Sequence, residues 1–172
     1  MQRVTFLRGF PAAGKTTFAH RLADENPNTV IVSADQCRFK RYGSQDKYGE
    51  PDVIYNDLLS EFKKYLADGK SVIYDAANLK RSYREDFMRD LKKEFAGVEK
   101  DIITIPTHKD ICIERHLKRG RDIPLDKLIP YFSLEEDPLY EEGWDHIWTC
   151  CAAAYIAAPF FSRADRDNAI RA

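Results

Sequence analysis

The segment Gly9-Phe10-Pro11-Ala12-Ala13-Gly14-Lys15-Thr16 matches the spacing Gly-x-x-x-x-Gly-Lys-Ser/Thr at every fixed position. No other stretch limits the fold as strongly, because this chemistry works only between a strand and a helix. Glycines at 9 and 14 reach backbone angles that cost other residues energy. Successive N–H groups can then point inward at phosphate oxygens. A helix starting near Lys15 adds its positive dipole end. Lys15 supplies a point charge for β- and γ-phosphates, and the Thr16 hydroxyl suits a Mg²⁺ ligand. The flanks agree: Arg3 to Leu7 is β-rich, and Lys15 to Asp24 reads as a helix.

The rest of the chain alternates in the same way. Thr29 to Ser33, Ser71 to Tyr74, Asp101 to Ile105 and Asp145 to Thr149 read as strands. Between them, Pro51 to Leu66 carries apolar residues at helical spacing, at Val53, Ile54, Leu58, Leu59, Phe62 and Leu66. Asn78 to Phe95, Asp110 to Lys118 and Pro124 to Phe132 also read as helices, the last with its proline in the first turn. Regular alternation predicts an α/β fold, a parallel sheet covered by helices on both faces. The 172 residues are organised as one domain over residues 1–150 with a C-terminal tail at 151–172. Leu134 to Asp145 holds six acidic residues and no Lys or Arg, and reads as a solvated acidic connection.

Three further groups carry chemistry. Asp75 ends an apolar strand, where a carboxylate can hold Mg²⁺ beside the phosphate loop; capping the next helix is the alternative. Asn78 can cap that helix or touch an acceptor. Asp35 directly follows the second strand, on the rim where ligands gather in a parallel sheet. A carboxylate there can take a proton from an attacking hydroxyl. Arg38 lies one helical turn on and can grip an acceptor phosphate through two parallel bonds. Finally, Arg115, Lys118, Arg119 and Arg121 fall within seven residues. Arg115 and Arg119 share a helix face, and Gly120 ends the helix before Arg121. A closing lid over about 115–132 would bring such arginines onto the charge of a migrating phosphoryl group; a solvated basic face is the alternative.

The counts of 27 Lys+Arg and 28 Asp+Glu give a net charge of −1 and argue against bulk electrostatic binding of nucleic acid. The longest apolar-rich run, Cys150 to Phe161, is shorter than the roughly 20 residues of a spanning helix, so no membrane is expected. No secretory pattern opens the chain, and Cys37, Cys112, Cys150 and Cys151 form no metal-binding spacing. Free thiols in a cytoplasmic protein are expected.

From Arg3 to Thr149 the sequence resembles the kinase domain of polynucleotide 5′-kinases, within the wider P-loop kinase group. The resemblance lies in the phosphate loop Gly9 to Thr17, in Ser33-Ala34-Asp35-Gln36-Cys37-Arg38, in Tyr74-Asp75-Ala76-Ala77-Asn78, and in Glu114 through Arg121 followed by Ile123-Pro124. Ala77 departs from it, standing where the family has Thr. The resemblance implies a P-loop NTPase-type parallel sheet flanked by helices, with a helical arginine-bearing lid. It implies ATP and Mg²⁺, with GTP as an alternative donor, bound along Gly9, Ala12, Ala13, Gly14, Lys15, Thr16 and Thr17. Thr16 and Asp75 would hold the metal. Asp35 would be the general base on a 5′-hydroxyl end of DNA or RNA, and Arg38 would hold the neighbouring phosphate. Arg115 and Arg119 would contact the donor phosphates, with Arg121 assisting them. Small-molecule kinases of the group, acting on a sugar, a nucleoside or an antibiotic, share the Asp-x-x-Arg pair and form the alternative. A nucleotide-dependent switch has no need of that pair.

Overall fold

Short β-branched runs separated by helices build a sheet in which each strand enters from the same side. The computed structural model describes residues 2–121 and 123–150, so the expectation for the tail, including Cys151, lies outside the described residues. Strands β1 (Arg3–Arg8), β2 (Thr29–Ser33), β3 (Ser71–Asp75), β4 (Glu99–Thr104) and β5 (His146–Thr149) form one sheet in the order β2-β3-β1-β4-β5. Every pairing is parallel. Helices α1 (Lys15–Asp24), α2 (Ala34–Tyr42), α3 (Pro51–Ala67), α4 (Arg81–Lys92), α5 (Lys109–Lys118) and α6 (Leu125–Leu128) make the connections. No helix among the described residues is long and apolar enough to cross a membrane.

Alternate residues of the strands feed two cores, as the period of two requires. On one face, Phe6 is fully buried. Its ring meets Tyr74 and Trp144 at 4.9 Å and Phe87 at 5.5 Å, all edge-on. On the other face, Leu7, Ile73 and Ile105 pack with Phe18, Ala19 and Cys112 of α1 and α5. In register, Leu7 lies beside Asp75, and Asp75 beside Ser33. The phosphate loop, the end of β3 and the start of α2 therefore leave the sheet at one level.

The structure differs from the sequence reading in four places. First, α2 forms directly after β2, where only a turn was read; Ser33 caps it by accepting from the Gln36 N–H at 3.4 Å. Second, α4 begins at Arg81, because Asn78 takes φ 49 and breaks the helical path. Asn78 caps nothing there; its Nδ2 donates to Leu7 O at 2.8 Å, tying the loop after β3 to the end of β1. Third, the stretch from Pro124 is divided: α6 is one turn, and a 3-10 helix covers Ile129–Ser133. Pro130 has no N–H to continue the α ladder.

The fourth difference is the acidic segment, which is solvated at Glu135, Glu136, Asp137, Glu141 and Asp145 as expected but buries Glu142 and ties distant elements together. Glu136 caps α4 by accepting from the Arg81 N–H at 2.7 Å. Arg8, buried at the end of β1, pairs with Glu135 and Asp137, both at 3.1 Å. Glu142 is buried against Arg84, whose Nε and Nη2 donate to its two oxygens at 2.8 and 2.7 Å. Trp144 Nε1 and the Leu139 N–H donate to the same carboxylate at 3.0 and 3.1 Å. Burial alone would raise the Glu142 pKa, but the Arg84, Trp144 and Leu139 bonds outweigh it and hold it below the ordinary value. Arg84 also donates to the carbonyls of Asn78 and Leu79, at 3.0 and 2.8 Å.

Glu142→Gln keeps the shape but leaves a buried guanidinium uncompensated, which costs about 3–5 kcal/mol. For a chain of this size the melting temperature should fall by roughly 10 °C, measured by calorimetry near pH 7. Because the folded pKa is depressed, this contribution holds above the unfolded value and fades as pH falls through the folded one, so the difference between wild type and variant should shrink in acid. A fall of under about 2 °C near pH 7 would show that the pair does not anchor the segment.

Candidate active site

The loop between β1 and α1 is held from three sides. The Gly9 N–H donates to Ala77 O at 3.1 Å, and Thr107 Oγ1 and Arg115 Nη1 donate to Ala13 O at 2.8 and 3.2 Å. A Cβ on Gly9 would stand 2.9 Å from the Ile105 carbonyl oxygen, so no other residue fits that close approach. Ala12 takes φ 64 and Gly14 φ 106, the left-handed turns that swing successive amides to one side. No side chain caps α1, so its first amides stay available to an anion.

Lys15 is buried, with its ammonium donating to the loop's own carbonyls, Gly9 O at 2.9 Å and Phe10 O at 2.7 Å. Burial lowers its pKa to about 8, and the nearby Asp75 carboxylate resists that fall. Thr16 Oγ1 donates to Asp75 Oδ2 at 2.7 Å. Asp75 is itself raised by burial, against the pull of Thr16 and Lys15. A hydroxyl and a carboxylate side by side form a hard oxygen donor pair. That set fits Mg²⁺, which takes one or two protein oxygens and completes its shell with water and phosphate. A buried ammonium resting on carbonyl oxygens can exchange them for phosphate oxygens without a new desolvation cost.

The arginines of the expected lid lie on α5 and the turn that follows it. Arg119 caps its C-terminus and lines the cleft near enough to Lys15 to lower its pKa. Arg115 faces the outer side of the loop at Ala13. His116, which the sequence reading passed over, is buried, and its Nε2 donates to Ile123 O at 2.8 Å, folding the chain after α5 back onto the helix. Phe132 packs edge-on against Phe10 at 4.8 Å, so the lid rests on the loop.

Asp35 lines the same cleft, in the first turn of α2. Arg38 Nη2 donates to Asp35 Oδ1, and Arg38 Nε donates to Gln45 O at 3.0 Å. The guanidinium lies over the Tyr48 ring at 5.2 Å. Arg121, expected beside the donor phosphates, is found on this side. Its Nη1 donates to Asp35 Oδ2 at 2.9 Å and its Nε to Asp46 Oδ1 at 2.6 Å. Both Asp35 oxygens therefore face a guanidinium.

A cleft of about 760 Å³ joins the two halves, with Lys15, Thr16 and Asp75 at one end and Asp35 and Arg38 beside them. Beyond Asp35 its walls carry Tyr48, Tyr55, Tyr83 and Tyr131, with Asp86 and Asp90. Tyr55 donates to Asp90 at 2.8 Å. Tyr131 is hydrogen-bonded to Tyr48, and burial first, then these neighbours, push its pKa up to about 12. No periodic signal marks this aromatic wall in the sequence, because its members come from separate elements. Cys37 and Cys112 are buried, and burial raises both thiols, Cys37 to about 11.

Sheet order, loop and lid together define a P-loop kinase-like domain. The chain belongs to the AAA domain family, whose model matches residues 4–128. Solved structures share the fold. A kinase-like protein of Chloroflexus aurantiacus J-10-fl superposes with a TM-score of 0.67 at 22% identity, over 87% of this chain and 84% of its own. A sugar kinase from Janibacter sp. HTCC2649 gives 0.63 at 22% identity, over 86% and 84%. A chain of the Pnkp1/Rnl/Hen1 RNA repair complex gives 0.63 at 22% identity, over 77% of this chain and 43% of its own.

Proposed function

We propose that this protein is a kinase that moves the γ-phosphoryl group of ATP onto the 5′-hydroxyl end of a polynucleotide. One observation carries the reading. Asp35 and Arg38 stand on the same rim of the sheet as the Thr16–Asp75 pair, across one continuous cleft. Asp35 takes the proton of the attacking hydroxyl as its oxygen bonds to the γ-phosphorus. The bond from that phosphorus to the β–γ bridging oxygen breaks, and ADP leaves. Lys15 and Arg119 oppose the charge that spreads over the migrating group. Thr16 and Asp75 would hold Mg²⁺, which would supply positive charge against the donor phosphates. Arg38 holds the phosphate next to the reacting nucleotide and so places its hydroxyl for in-line attack.

The relative in an RNA repair complex supports the polynucleotide reading. The second reading is a small-molecule hydroxyl kinase. It is favoured by the tyrosines and carboxylates beyond Asp35, a surface that suits ring stacking and hydroxyl binding, and by the sugar kinase among the structural relatives. Labelled γ-phosphate should be offered with a 5′-hydroxyl oligonucleotide beside sugars, nucleosides and an aminoglycoside, with Mg²⁺. Label on the oligonucleotide is the expected result. Label confined to a small molecule moves the assignment to the second reading, and ATP binding without transfer to any acceptor overturns both.

A further inference from the structure

The geometry points to Arg121 as a ligand of the acceptor's phosphate, so that the lid reads both substrates, the donor through Arg119 and the acceptor through Arg121. This rests on the polynucleotide 5′-end reading.

Gly120 takes φ 59 and turns the chain where α5 ends. That turn separates two arginines only two positions apart. Arg119 stays with Lys15, while Arg121 crosses to the start of α2 and the loop that follows it. Arg121 is held at both ends of its fork, by Asp35 through Nη1 and by Asp46 through Nε, with Nη2 3.5 Å from Gln45 O. Its side chain is only 20% exposed. Arg38 occupies the other Asp35 oxygen and is steadied by the same loop through Gln45 O.

A general base needs one oxygen open to receive a proton. Here each oxygen accepts from a guanidinium and keeps one further lone pair, so moving one arginine aside gives the acceptor hydroxyl freer access to Asp35. The group that leaves needs another anion within reach. The acceptor carries one, the phosphate on the 3′ side of the nucleotide whose 5′-hydroxyl reacts. Arg121, pivoting on Asp46, can exchange the carboxylate for that phosphate and keep its charge-assisted bonds. A phosphate held by two forked guanidiniums is fixed in orientation as well as position. Acceptor binding would thus uncover the base and draw the lid segment inward in one movement.

The test compares a nucleoside 3′-monophosphate with its parent nucleoside as acceptors, using wild type, Arg121→Ala and Arg121→Lys. Arg121→Ala should raise KM for the 3′-monophosphate by about tenfold to a hundredfold, the scale of one lost charge-assisted fork. The parent nucleoside carries no phosphate for Arg121 to hold, so its KM should change far less, and KM for ATP should stay within about threefold. Arg121→Lys keeps the charge without the fork and should recover part of the loss. An equal loss on both acceptors would make Arg121 a structural latch and overturn the inference. So would a loss confined to ATP, which returns Arg121 to the donor side. Wild type that phosphorylates neither acceptor overturns the polynucleotide-end reading itself, and this inference with it.

Discussion

Asp35→Asn should slow phosphoryl transfer by about 10²- to 10⁴-fold and leave ATP binding within about threefold of wild type. The amide cannot take a proton near neutral pH, so the hydroxyl must attack without help. The change removes no hydrogen bond of the phosphate loop: Lys15 rests on Gly9 O and Phe10 O, and Thr16 on Asp75. Asparagine retains one carbonyl oxygen, which can still accept from Arg38 or Arg121, so the start of α2 keeps its place. Single-turnover transfer of labelled phosphate gives the rate, and equilibrium binding of ATP gives the control. A variant that transfers at the wild-type rate would remove Asp35 from the chemistry.

Arg119→Ala should lower kcat by about 10³-fold or more, the effect found where an arginine meets the transferring phosphoryl group. Arg119 ends α5, lines the cleft and stands close enough to Lys15 to depress its pKa. Burial does most to lower the Lys15 pKa and Arg119 adds to it, so phosphate charge brought beside them would favour both cations. The loss should appear mainly in kcat, because that charge grows in the transition state. Arg119→Lys should recover little, since a single ammonium cannot span two phosphoryl oxygens in the same plane. A kcat within about tenfold of wild type would assign Arg119 to the exposed helix surface instead.

The donor half was readable from the sequence because its pattern is local. Gly9, Gly14, Lys15 and Thr16 are fixed by the spacing of one loop, and the strand and helix beside them carry clear periodicity. Asp35 and Arg38 were readable for the same reason, one helical turn apart. Helix α2 itself was harder, because only Cys37 of its nine residues is buried and the apolar period is lost. The acidic segment misled because its partners are distant in sequence. Arg8 and Arg84 are buried cations, and only the fold brings Glu135, Asp137 and Glu142 to them. The position of Arg121 was not readable either, since the turn at Gly120 carries it to Asp35 and Asp46 and away from Arg119. Local signals were readable. Pairings made across the sheet were not.

The near balance of charges takes a spatial meaning in the structure. The acidic segment pairs with Arg8 and Arg84, while Lys15, Arg38, Arg119 and Arg121 line the cleft. On the proposed reading such a site would hold a few phosphates locally, and its salt dependence should be correspondingly shallow.

Labelled ATP and Mg²⁺ offered with two oligonucleotides, identical except that one carries a 5′-hydroxyl and the other a 5′-phosphate, test the central claim most directly. The expected result is label on the 5′-hydroxyl oligonucleotide alone, at its 5′ end, and none with Asp35→Asn within the same time. Label on the 5′-phosphorylated oligonucleotide, or none on either while ATP is bound, would contradict it.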